Sequence, residues 1–142
     1  SGAEDMLVSL QDPDADPVHV IPRDEWTNGM REVEEISRWA AEKLGISSDL
    51  LVTFVKPSRA NGNWVACFGG GLDWNVTVLG KKWFDSWSTH LPQLLDILIH
   101  EFSHKYAMNH LDEDFHKACT RLGGKLAAMF LRGEKMPYGE RV

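Results

Sequence analysis

Residues 100–110, HEFSHKYAMNH, place metal-binding side chains in a segment that is otherwise strongly apolar. Leu94 and Leu98 precede this run at helical spacing, which predicts a helix packed against a hydrophobic core. On a helix, residues i and i+4 share a face, so His100 and His104 can direct their imidazoles to one point. Burying such groups is costly unless something pairs with them. The segment therefore predicts a buried helix that carries a pair of metal ligands.

A third histidine, His110, reaches the same point only if the helix ends and the chain turns back. Asn109 is a suitable helix terminator, and Asp112 is a candidate N-cap for the next helix. Three neutral imidazoles leave one tetrahedral position open for water, which is typical of a catalytic zinc site rather than a structural one. We therefore predict that zinc is held by His100, His104 and His110.

Glu101 lies next to this face. Its carboxylate is too close along the chain to be a third ligand, but it can reach a water on the metal. We predict that Glu101 is the general base, which takes a proton from that water and passes it to a leaving amine. Three residues remain alternatives to His110 as the third ligand: Asp114, His116 and Glu134.

The run HEFSHKYAMNH has the spacing HExxHxxxxxH and resembles metzincins and the WLM and SprT-like groups of zinc proteases. The following LDEDFHKACTRLG looks like the acidic N-cap and Phe-bearing helix of the WLM type, and the strong resemblance covers residues 91–131. Ala107 stands where metzincins carry a turn-forming glycine. Phe115 lies one residue further from His110 than in the WLM pattern. The wider run GNWVACFGGG…NVTVLG is also similar to domains that follow GHKL-type ATPase modules in some bacterial and phage proteins.

The resemblance implies a zinc-dependent peptidase, with an endopeptidase favoured over an exopeptidase. Zincins bind a substrate chain antiparallel to an edge strand above the active-site helix, and the segment 72–79 is the expected edge. Tyr138 and Tyr106 are candidates to stabilise the oxyanion. Met136 invites comparison with the methionine turn of metzincins, but a whole helix separates it from His110, so an ordinary C-terminal turn is favoured. Two alternatives remain: a zincin-like binding or regulatory module of a larger multidomain protein, and a DNA-associated protease of the SprT/WLM kind.

The surrounding pattern predicts an α+β fold. We expect a small mixed sheet of about three strands packed on the long active-site helix, as in zincins, with one helix before the sheet and one after the motif. The predicted helices span residues 24–44 (starting at 24 or 27), 91–108 and 112–131, and the predicted strands span residues 50–56, 64–68 and 72–79. Aromatic residues between 81 and 90 are expected to enter the core under a loop. Residues 1–23 form an extended arm, with one short candidate strand at 18–21, and residues 24–142 form a single domain.

Charge and composition limit the classes of partner and the cellular compartment that we expect for this chain. The net charge is −6, which makes nucleic acid an unfavoured partner for this domain, because phosphate contacts need concentrated Lys and Arg. No apolar run approaches the roughly 20 residues that span a bilayer. Two cysteines without CxxC spacing indicate a reducing compartment, and we expect a cytoplasmic protein. Ser1-Gly2 resembles a cloning scar, so a longer chain or complex is expected, with a peptide or protein as the substrate.

Overall fold

The computed structural model describes residues 18–58 and 62–142. The predicted arm therefore lies outside the described residues up to residue 17. Across the described ranges no helix combines the length and the apolar character needed to cross a bilayer.

A four-stranded mixed sheet forms the centre of the domain. Its strands are β1 (His19–Val20), β2 (Val52–Lys56), β3 (Ala66–Phe68) and β4 (Leu72–Asn75), in the spatial order β1-β2-β4-β3. The central pair, β2 and β4, is parallel, whereas β1 and β3 run antiparallel to their neighbours. The predicted α+β class with a mixed sheet is confirmed. The sheet has four strands because the short candidate strand near residue 20 pairs with β2.

Five α-helices surround this sheet in the described residues. They are α1 (Asn28–Lys43), α2 (Val76–Leu79), α3 (Lys81–Asp85), α4 (Leu91–Ser103) and α5 (Glu113–Leu131). The side chain of Thr27 caps α1 by accepting a hydrogen bond from the N–H of Met30, and Gly45 (φ 72°) follows its end, as the sequence predicts. Asp112 caps α5 in the same way through the N–H of Asp114.

Aromatic side chains fill the core between the sheet and the helices. Phe54, Trp74 and Phe84 are fully buried, with Phe84 edge-on to both of the others. The predicted core aromatics between residues 81 and 90 are therefore buried, but α3 and a 3-10 helix (Trp87–His90) carry them instead of a loop. Helix α1 approaches α3 closely at Gly29, where a Cβ would lie 2.2 Å from the carbonyl oxygen of Phe84.

The strand predicted for residues 72–79 is wrong in its second half. Strand β4 ends at Asn75, whose side chain accepts a hydrogen bond from the N–H of Val78 and so starts the helical turn α2. Gly80, with φ 84°, ends that turn. Since β4 lies between β2 and β3, it is a central strand, and the prediction that it forms the edge above the motif helix is wrong. That edge belongs to β3.

Helix α4 is shorter than predicted, since it ends at Ser103 rather than at residue 108. The chain there tightens into i→i+3 hydrogen bonds, from the N–H of His104 to Glu101 O and from the N–H of Tyr106 to Ser103 O. The Ser103 hydroxyl also donates to Ile99 O, a local bond that competes with continued helix. The early end gives the chain room to turn back before α5.

Candidate metal centre

Three imidazoles converge at the C-terminal end of α4. The Nε2 atom of His110 lies 2.8 Å from Nε2 of His104 and 3.1 Å from Nε2 of His100. Among the described residues, these three form the one group of potential ligands close enough to hold a metal ion. One nitrogen carries at most one proton, so hydrogen bonding satisfies only part of this arrangement. A cation at the point of convergence satisfies all three nitrogens together.

The chain brings His110 into place by a tight turn. The side-chain oxygen of Asn109 accepts a hydrogen bond from the N–H of Leu111, and the backbone carbonyl of Asn109 accepts one from the N–H of Asp112. Asp112 then caps α5. The turn predicted between Asn109 and Asp112 is therefore present, and it returns His110 to the face of α4 that carries His100 and His104.

Ala107, which stands in place of the expected glycine, is compatible with this turn. Among the described residues that are not glycine, Tyr138 alone has a positive φ, so the backbone at Ala107 needs no left-handed conformation. The carbonyl of Ala107 also lies 3.2 Å from Nδ1 of His104. A proton on Nδ1 that is donated to this carbonyl leaves the lone pair of Nε2 directed at the other two histidines.

Phe115, in the first turn of α5, forms the floor of the cluster. It is buried, and its ring centroid lies 4.8 Å from that of His104 and 5.1 Å from those of His100 and His110. Packing against one shared ring restricts the rotation of all three imidazoles. The extra residue between His110 and Phe115 therefore does not prevent this contact.

The electrostatics of the site favour neutral imidazoles. Burial lowers the pKa of His100, and the nearby His110 and His104 lower it further, while Asp96 opposes these effects. Burial also lowers the pKa of His104, against the hydrogen bond to Ala107 O. A depressed pKa keeps the ring deprotonated near neutral pH, and only the neutral ring has a lone pair for a metal.

Glu101 lies beside the cluster and is buried, with 6% of its surface exposed. Its Oε1 accepts a hydrogen bond from the N–H of Phe68 in β3, at 3.1 Å, and its Oε2 lies 3.6 Å from Nε2 of His100. Burial raises the pKa of Glu101 to about 7, although the bond from Phe68 lowers it. The contact with β3 thus fixes one carboxylate oxygen and leaves the other facing the histidines.

The donor set fits zinc. Zn–N distances of about 2.0–2.1 Å at tetrahedral angles place ligand nitrogens roughly 3.3 Å apart. The two shortest Nε2–Nε2 separations, 2.8 and 3.1 Å, are within a few tenths of an ångström of that spacing. Three histidines without a fourth protein ligand leave a coordination position open to the cleft.

The cluster opens into a cleft of about 930 Å³ between β3 and α4. One wall consists of seven consecutive residues, 63–69, which include all of β3. The opposite wall carries Asp96, Ile97, His100 and Glu101 from α4, and Ile46 and Met108 contribute apolar surface. The three histidines and Glu101 are therefore accessible to a ligand that enters along β3.

The other predicted site residues lie elsewhere. Glu134 pairs with Lys43 at 3.0 Å, and Asp114 and His116 are exposed on the first turns of α5 and outside the cluster. Neither tyrosine lines the cleft. The ring of Tyr106 packs beneath the guanidinium of Arg121. The phenol of Tyr138 lies against α1, where hydrogen bonding to Glu35 raises its pKa. The prediction of these two as oxyanion-stabilising groups is therefore wrong.

Sequence reasoning missed three contributors to the site. Phe68 and Ala107 act through backbone groups, and any residue type supplies those. Asp96 lies four residues before His100, and this i−4 spacing was a signal that it shares the ligand face.

Comparisons of this chain with protein-family profiles, with curated proteins and with solved structures found no match. Functional conclusions therefore rest on the geometry of the site.

Proposed function

We propose that this domain is a zinc-dependent peptidase in which Glu101 is the general base. The observation that carries the proposal is the convergence of three histidine Nε2 atoms next to a buried carboxylate, at the wall of an open cleft. Zinc bound by His100, His104 and His110 would supply Lewis-acid activation of water and of a substrate carbonyl. A structural zinc site would have no use for the carboxylate or for the opening.

Within this proposal the two oxygens of Glu101 have different tasks. Oε1 is held by the N–H of Phe68, which fixes the orientation of the carboxylate. Oε2 faces His100 and is the atom that accepts a proton from water and later gives it to the leaving amine. Burial raises the pKa of this carboxylate to about 7 in the metal-free protein, and the charge of a bound zinc ion would lower it, so Glu101 would be ionised and able to accept a proton near neutral pH.

Strand β3 is the proposed docking edge for the substrate backbone. The N–H of Asn75 donates to Val65 O and the N–H of Gly69 donates to Gly71 O, so these residues form hydrogen-bonded pairs with the neighbouring strand. By alternation, the backbone groups of Ala66 and Phe68 point away from β4. The N–H of Phe68 is engaged by Glu101, which leaves the carbonyl of Phe68 for a substrate backbone at this edge. An extended peptide can add to this edge. A wall of seven residues fits a continuous chain better than a terminus alone, which favours an endopeptidase.

The test compares the wild type with Glu101→Gln after metal analysis of both proteins. We expect both to retain about one zinc per chain, because Glu101 is not a ligand. We expect the wild type to cleave an unfolded protein or a mixed peptide pool, and Glu101→Gln to lose at least about 100-fold of that activity. Glu113→Gln is the matched control, because this exposed glutamate on α5 lies outside the cleft.

Equal cleavage by Glu101→Gln would reject the mechanism. A wild type that binds zinc but cleaves nothing would favour the binding-module alternative.

The cytoplasmic location expected from the cysteine pattern is part of the proposal as well, and it is compatible with the absence of a membrane-crossing helix in the described residues.

A further inference from the structure

Asp96 lies on α4 one turn before His100 and lines the same cleft. Residues at i and i+4 on a helix have Cβ atoms about 5–6 Å apart, so the carboxylate is one side-chain length from the metal-binding point. The side chain of Asp96 is exposed to solvent. It is therefore available to a group that a bound substrate brings into the cleft.

The other charged side chains of the cleft already have partners. Lys105 donates to the carbonyls of Gly45 and Ile46 at 3.2 and 2.9 Å, which ties its ammonium to the end of α1. Glu101 is held by Phe68. Within residues 18–58 and 62–142, Asp96 has neither an ion pair nor a hydrogen bond from its side chain. Among the described residues, Asp96 is thus the charged side chain of this cleft that is free to pair with a ligand.

The surroundings of Asp96 strengthen any pairing it makes. Much of the remaining lining is apolar, with contributions from Ile46, Ala66, Ile97 and Met108. A peptide lying along β3 would exclude water from the same space, and ion pairs are stronger where water is excluded.

We propose that Asp96 is a specificity-determining residue that selects peptides with a cationic group next to the bond to be cleaved. This inference rests on the proposed peptidase function. The cationic group is either the side chain of Lys or Arg or a free amino terminus, and both present N–H donors to a carboxylate. The net charge of −6 favours the approach of basic segments as well.

The experiment uses two sets of quenched fluorescent peptides. In the first set, Lys replaces Gln at one position after another along one cleavable sequence, with both termini blocked. In the second set, the amino terminus is either free or acetylated. The measured quantity is the ratio of kcat/KM between the cationic and the neutral member of each pair, for the wild type, Asp96→Asn and Asp96→Lys.

We expect the wild type to prefer the cationic member by about tenfold, which corresponds to about 1.4 kcal/mol. Asp96→Asn should bring the ratio to about one, and Asp96→Lys should bring it below one, in favour of the neutral member of each pair. The set that responds identifies the source of the cation. Glu42→Gln is the matched control, because it removes the same charge from an exposed position on α1 outside the cleft, and its ratio should equal that of the wild type.

A binding measurement gives a second readout that needs no turnover. Fluorescence anisotropy of the cationic and neutral peptides on Glu101→Gln, with and without Asp96→Asn, should show the same tenfold difference in Kd. Metal content is measured in every variant, since Asp96 also acts on His100.

The outcomes separate this inference from the proposed function. A wild type that cleaves peptides without a cationic preference, or whose preference survives Asp96→Asn, overturns the inference alone. A zinc-loaded wild type that cleaves no peptide overturns the proposed function, and the inference falls with it.

Discussion

Helix α4 with its C-cap residue His104, and the linker that follows, residues 105–112, both supply histidines of the candidate metal site, but the two regions are held differently. Leu94, Leu98 and Phe102 are buried, so core packing fixes α4 and with it His100. In the linker, Met108 and Leu111 are 67% and 89% exposed. Local turns and the ring of Phe115 hold the linker in place. If the site holds zinc as proposed, His100 and His104 would form a preformed pair of ligands at the end of α4, and His110 would be an adjustable third ligand.

The largest expected effect is on zinc affinity. His100→Ala removes one member of the preformed pair. We expect zinc affinity to fall by more than the 10–100-fold that is typical when residues around the ligands are changed. His110→Ala leaves the helical pair intact, so its loss should be smaller than that of His100→Ala. Chelator competition measures both values, and His116→Ala is the control histidine outside the cluster. Unchanged affinity in His110→Ala would show that this residue is not a ligand.

The next effect is on stability, because a substitution in α4 should lower the free energy of unfolding far more than one in the linker. Leu98→Ala creates a cavity in the core, and we expect it to lower the free energy of unfolding by about 2–5 kcal/mol. Leu111→Ala removes an exposed side chain from the linker and should change it by less than about 0.5 kcal/mol. Urea denaturation of the metal-free proteins measures both. If Leu111→Ala lowered the free energy of unfolding as much as Leu98→Ala, this would contradict the view that the linker contributes little to the core.

A further effect on stability is a pH dependence that originates on α4. Burial raises the pKa of Glu101 from 4.5 to about 7 in the folded protein. Between these values the folded state binds a proton that the unfolded state lacks, so this group makes the free energy of unfolding fall as pH rises from about 4.5 to about 7. Glu101→Gln removes this contribution. The stability of metal-free wild type relative to Glu101→Gln should therefore decline across that window and level off above it. A constant difference at every pH would contradict the prediction.

The sequence predicted the elements and site residues whose determinants are local. The caps at Thr27 and Asp112 and the period of the apolar residues define α1 and α5 to within a few residues. The histidines of the candidate site lie within one short segment, so helical spacing and one turn signal suffice to bring them together. Long-range partners are not needed for either result.

Features that depend on distant partners or on backbone groups were missed. The edge position of β3 follows from the pairing of β4 with β2, which no local pattern records. Helix α4 ends early through i→i+3 bonds, although the residues beyond Ser103 are compatible with more helix. Tyr138 and Tyr106 were chosen for their chemistry alone, and tertiary structure places both outside the cleft.

The hydrogen bond from Phe68 to Glu101 joins residues 33 positions apart, whereas the three ligands occupy one continuous stretch of chain. A nascent or partly unfolded chain can therefore gather its histidines around an ion before the sheet exists. The carboxylate acquires its fixed orientation only when β3 has docked against α4. On the proposed function, metal binding by the histidines and alignment of Glu101 as general base would therefore be separate steps in folding, and a chain that holds the metal would still need the docked β3 for activity.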